Sequence, residues 1–186
     1  PHFVEMYNYK VLFSDPIFHR CLVNNVIWMI IYLLIPIPVA FAIALGLEER
    51  LKGANVLRVI FYLPMAISLI AVSLIWAWMY NPEWGVINTV LRKIGLESLT
   101  RLWLGEPSIA LYSVIFASCW NFIPLLIIIF NAGLTNIPRE VIEASQIDGT
   151  SYFQQVRYVV LPLLRPTFTI SMIITVIFSL RTFDVV

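Results

Sequence analysis

Serine, threonine and asparagine recur at helical spacing inside long apolar runs of this 186-residue sequence. Thr167, Ser171, Thr175 and Ser179 follow one another every four residues, which lays a slowly winding polar ridge along one helix face. Ser113, Ala117 and Asn121 make a second small, polar face, with Trp120 beside it. Such groups could line a hydrated path. Hydroxyls and an amide offer hydrogen bonds, and an indole ring suits the apolar face of a sugar. The plainer reading is packing, since small and hydroxylated residues let membrane helices approach closely. The chemistry of covalent catalysis is missing from the sequence: it holds no His-Glu-x-x-His, no Gly-x-Ser-x-Gly and no Walker-type phosphate loop. His2 and His19 lie outside the apolar runs, so they offer no intramembrane metal site or proton relay. Cys21 and Cys119 have neither metal-ligand nor disulfide-framework spacing and read as small buried hydrophobes.

The elements that carry these residues are set by composition. The chain is 60% hydrophobic and only 12% charged, about half the charged share of a soluble domain. A net charge of +1 argues against a nucleic-acid partner. Charge-free runs predict spans over about 21–47, 59–81, 108–131 and 166–186. The first three exceed the roughly 20 residues a helix needs to cross about 30 Å of hydrocarbon. The fourth is short, and crosses only if Arg181 and Asp184 sit near the far interface or inside the protein. The runs do not alternate as barrel strands must, so the fold class is all-α, a polytopic membrane protein. Pro36, Pro38, Pro64 and Pro124 lie within the spans, and each removes a backbone donor and can kink its helix.

Four spans put the 48–58 and 139–165 loops on one side, with residues 1–20 and 83–106 on the other. Arg50, Lys52, Arg58, Arg139, Arg157 and Arg165 on the first side face Lys10, Arg20, Arg92, Lys93 and Arg101 on the second. That balance leaves the orientation open by the positive-inside rule. Trp76, Trp78, Tyr80 and Trp84 read as an interfacial aromatic belt, and 83–106 as a loop able to form an amphipathic helix at that interface. No acidic residue lies within the first three spans, and only Asp184 lies near the fourth. Ion-coupled carriers usually keep an ionisable group there. Uphill movement through this chain would draw its energy from another subunit.

The longest polar interval near the C-terminal end, 132–165, is too long for an ordinary connection. Pro138 suits the first turn of a helix over 138–147, which would carry Val141, Ala144 and Ser145 on one face. Asp148-Gly149 is a stop signal, and Ser151 with Gln154 has capping-box spacing. Leu161-Pro162 and Pro166 then close a helix–turn–helix elbow outside the bilayer.

Glu143-Ala144-Ser145, Asp148-Gly149 and Leu161-Pro162 resemble, at their spacing, the EAA loop of permease subunits in binding-protein-dependent ABC importers. Asp148 matches the carbohydrate branch. Ser145 departs from the usual Ala, and Val156 stands where that branch often has Phe. "VIFYLP", "NPEWGVIN", "WLGEPSIAL" and "RTFDVV" follow in that branch's order. The chain is therefore similar to spans two to five of a six-span subunit with the type I ABC importer transmembrane fold, and is expected to lack both ends of that subunit.

The resemblance implies a cytoplasmic coupling loop at 132–165, in which Glu143, Ala144, Ser145, Asp148, Gly149, Leu161 and Pro162 engage an ATP-binding subunit present as a dimer. It implies a second permease subunit, usually a different chain, and an extracytoplasmic solute-binding protein, in the inner membrane of a prokaryote. ATP is held by the partner subunits, and this chain is expected to bind no cofactor and to be no enzyme itself. Trp120, Asn121, Thr175, Ser179, Arg181 and Asp184 are the expected path residues. The competing functions are an ion-coupled carrier of a small polar solute and an intramembrane enzyme, disfavoured by the missing acids and the missing nucleophile.

Overall fold

A computed structural model describes residues 6–48 and 54–181. Among these residues the chain forms helices and turns and no strand. Helix α1 (Tyr7–Ser14) stops at Asp15, whose extended backbone and carboxylate cap α2 (Pro16–Leu34) through the Ile17 N–H at 2.8 Å. Helix α3 (Pro36–Glu48) follows after Ile35 alone. The Ile35 N–H bonds the Ile31 carbonyl at 2.9 Å and the Val39 N–H bonds the Ile35 carbonyl at 3.2 Å. The helical path therefore runs on past Pro36, and Pro16–Leu47 makes one apolar stretch of 32 residues, long enough to cross a membrane.

The second apolar run is different. Helices α4 (Ala54–Ala66) and α5 (Leu69–Met79) meet at 101°. A kink at Pro64 was allowed by the sequence, but the structure places a full break at Ile67–Ser68. Pro64 can donate no hydrogen bond, and Ser68 adopts an extended backbone and caps a new helix through the Ala71 N–H. After α5 the chain turns through Asn81 into α6 (Val86–Lys93) and a 3-10 turn at Glu97–Leu99. Helix α7 (Pro107–Thr135) runs unbroken through Pro124 for 29 residues, again enough to cross. It starts at a proline, where a missing N–H costs nothing, and continues four residues beyond the expected span.

The core gathers on α7. Ile115, Leu126, Ile127 and Phe130 are buried against Ala40, Ala44 and Leu47 of α3, and Tyr32 of α2 stacks on Phe122 at 5.1 Å. A second cluster, Val72 and Trp76 of α5 with Tyr80 at its C-terminal cap, packs on Ala117 and Trp120 of α7 and on Trp103. So the expected aromatic belt divides. Trp78 and Trp84 are exposed, whereas Trp76 and Tyr80 are buried against α7.

The elbow follows α7. Pro138 has an extended ψ and stands one residue before α8 (Arg139–Ile147), rather than within its first turn. Helix α9 (Tyr152–Gln155) passes through a π-helical turn at Val156–Val160 into α10 (Leu161–Leu163). The bend into α11 (Arg165–Arg181) comes at Leu164 and measures 68°. Leu161-Pro162 was expected to close the elbow, but the helix runs through it. The wide π turn, with the Leu161 N–H on the Val156 carbonyl, absorbs a proline that cannot donate to the carbonyl four residues back.

Candidate functional site: the elbow and the polar faces

Helix α8 has two faces with different fates. Glu140, Glu143, Ala144 and Ile147 recur at helical spacing and are all exposed, Ile147 at 86%. Ile142 and Ser145 turn inward. Ser145 was expected on the outer face with Val141 and Ala144; it is buried instead. Its hydroxyl donates to the Ile142 carbonyl at 2.7 Å and accepts from Gln155 Nε2 at 2.8 Å. Gln155, also buried, donates to the Ile142 carbonyl at 3.1 Å as well. That pair ties α8 to α9 and makes the elbow stiff. Gln155 carries no signal in the sequence, because its partner lies ten residues away across a turn.

The turn itself forms as the stop and cap signals require. Asp148 ends α8, and Gly149 has φ of +77°. The Gly149 N–H bonds Gln146 and the Thr150 N–H bonds Ser145, the paired bonds of a Schellman end. Ser151 and Gln154 form a reciprocal capping box. Phe153 is left 70% exposed. Glu143, Ala144 and Asp148 are exposed, and Leu161 and Pro162 lie at the far end of the unit, half-buried and exposed.

The polar faces on the spans are used for contact within the chain. Asn121 Nδ2 donates to the Pro64 carbonyl at 2.6 Å. In an unbroken helix that carbonyl would accept from residue 68; at the break it accepts instead from the Ile67 N–H at 3.3 Å, and Asn121 adds a second donor. The Ser113 carbonyl accepts from Tyr80 Oη at 2.9 Å. Trp120 meets Trp76 edge-on at 5.9 Å and lines an apolar cleft of about 570 Å³ between α2–α3, α5 and α7. Thr175 and Ser179 are fully buried, donating to the carbonyls of Ser171 and Val176 on their own helix. Of the expected path residues, Trp120 lines that cleft, while Asn121, Thr175 and Ser179 bond within the chain. Arg181 ends α11 and is exposed, and Asp184 lies outside the described residues. No group of three or more metal-ligating side chains occurs among the described residues.

Residues 36–186 match the model of the binding-protein-dependent transport system inner membrane component. The chain belongs to that family. A Pyrococcus horikoshii protein named as a probable ABC transporter permease protein is 37% identical over 184 residues, covering 98% of this chain and 63% of that one. The trehalose/maltose transport system permease protein MalF of Thermococcus litoralis is 33% identical, covering 99% and 62%. A solved bacterial ABC transporter, involved in import of the acidic polysaccharide alginate, superposes with a TM-score of 0.85 at 26% identity over 93% of this chain and 60% of its own. The fold is accordingly the type I ABC importer transmembrane fold. The chain spans a little under two thirds of the length of the relatives it matches.

Proposed function

We propose that this chain is the membrane-spanning part of a permease subunit in an ABC importer, moving a carbohydrate or related polar solute across the cytoplasmic membrane of a prokaryote. The observation that carries the proposal is the build of the elbow. It is fixed internally by Ser145, Gln155, a Schellman turn and a capping box, yet Ile147 and Phe153 are left bare. Large apolar side chains left bare on a segment read as lying outside the bilayer suit a partner's surface. An ATP-hydrolysing subunit pressing on Glu140, Glu143, Ala144 and Ile147 would move α7 and α11 through that stiff unit. The elbow then lies in the cytoplasm, and 83–106 lies outside, where a solute-binding protein delivers the cargo. A second permease subunit completes the pathway, and the ATP stays on the partner subunits.

The cargo class follows from the relatives, which are named for trehalose/maltose, sulfoquinovosyl glycerol and diacetylchitobiose. Thr175 and Ser179 reach such a cargo only if α11 parts from its neighbours during the cycle, since both are enclosed in this conformation. Asn121 serves the pathway by holding the broken second span to α7, and Trp120 by lining the adjacent cleft. Purified with its partners in proteoliposomes, the full subunit should show ATP hydrolysis stimulated by a loaded binding protein together with sugar uptake. Uptake driven by an ion gradient without ATP would instead support an ion-coupled carrier.

A further inference from the structure

The two helices that flank the elbow touch at a glycine. A Cβ placed on Gly133 of α7 would fall 2.5 Å from Thr167 Oγ1, 2.9 Å from Thr167 Cγ2 and 3.0 Å from Leu164 Cδ2. Real Cβ atoms essentially never come as close as these two Thr167 atoms would, and Thr167 is β-branched, stiff at χ1, with no long stem to swing aside. Glycine is otherwise a poor choice inside a helix. Its conformational freedom is not the reason for it here, since positive φ among the described glycines occurs at Gly95 and Gly149. Close approach of α11 is the reason. One turn along, Phe130 of α7 meets Phe168 of α11 at 4.8 Å, and Phe41 of α3 meets both rings, at 5.4 and 5.2 Å. Leu164, at the 68° bend, is buried in the same core, against which Ile137 and Ile142 of the elbow also pack.

We propose that Gly133 is a positioning residue for coupling: by omitting a side chain it lets the first turn of α11 seat directly on the last turns of α7, so that a push on α8 moves both spans as one body. The inference rests on the reading of α8 as a docking helix. Gly133→Ala should improve α7 as an isolated helix yet wedge the joint open. In the assembled transporter, uptake per ATP hydrolysed should fall about tenfold, the scale on which an overpacked contact shifts an equilibrium. Thr167→Ala alone should stay close to the parent. The double variant Gly133→Ala/Thr167→Ala removes both clashing Thr167 atoms and should recover coupling.

Spin labels on exposed Ala132 and Ile170 of the full-length subunit report the joint itself. Their separation should lengthen in Gly133→Ala and return in the double variant. Should Gly133→Ala fail to assemble, assembly and uptake by the double variant still support the joint. Parental coupling and label separation in Gly133→Ala, or a double variant as impaired as the single, overturns it. A parent complex with no ATP-driven uptake contradicts the functional reading instead, and the label distances then decide the joint alone.

Discussion

Gly149 and Ser145 sit four residues apart in the elbow and do opposite work. Gly149 holds φ of +77° with open space where a Cβ would point, so a side chain there meets no clash and only the backbone objects. For an L-residue that objection is about 1–2 kcal/mol, and it is felt in the turn that aims α8. Gly149→Val is therefore expected to leave the subunit in the membrane while lowering uptake; normal uptake in an assembled Gly149→Val complex would contradict a coupling role for this turn. Ser145→Ala removes the oxygen that receives Gln155 Nε2, though Gln155 keeps the Ile142 carbonyl. A loss of about 0.5–1.5 kcal/mol is expected, read as a lower unfolding temperature of the solubilised protein. Gly149 was legible, because a helix stop before glycine has one common geometry. The inward turn of Ser145 was not. Helix α8 carries apolar residues on both sides, Val141 and Ile142 as well as Ile147, so its sequence does not say which stripe faces in. The answer depended on Gln155, which no local pattern connects to it.

At the scale of elements, the second apolar run shows what charge-free length can and cannot report. Length and composition located it, but the 101° break at Ile67–Ser68 depends on a local cap and a distant side-chain partner. Pro64 sits in a helix interior much as Pro124 does, and α7 runs straight through Pro124. The difference is a serine that can cap a new helix, and Asn121, fifty-seven residues further on, that accepts the role of donor to Pro64. Asn121→Ala removes the amide donor while the carbonyl keeps the Ile67 N–H, a cost of about 0.5–1.5 kcal/mol. It should destabilise the solubilised subunit measurably and slow uptake. Unchanged melting and uptake would show that the break is held by packing alone. The aromatic run after α5 teaches the same lesson: Trp78 and Trp84 face out, but tertiary contact with Trp103 and Ser113 draws Tyr80 inward.

Among the described residues, two membrane-length helical stretches and two bent helix pairs gather on α7, with one polar elbow left uncovered. The chain's hydrophobic load and its four apolar runs were plain in the composition, and the EAA spacing pointed to the family. The balance of basic residues could not orient it, because the two sides carry nearly equal numbers of them. Path residues were the least legible, because small polar residues serve packing and passage alike, and here Thr175 and Ser179 are closed off within the chain. The central claim is that the outer face of α8 meets an ATP-hydrolysing subunit. A cysteine placed at Ala144, in a full-length subunit freed of Cys21 and Cys119 and assembled with its partners, tests it alongside Ala144→Trp. The account predicts a cross-link from position 144 to the ATPase subunit, and loss of sugar uptake in Ala144→Trp with assembly retained. Free access of a water-soluble thiol reagent to position 144 in the assembled complex, with uptake intact in Ala144→Trp, would contradict it.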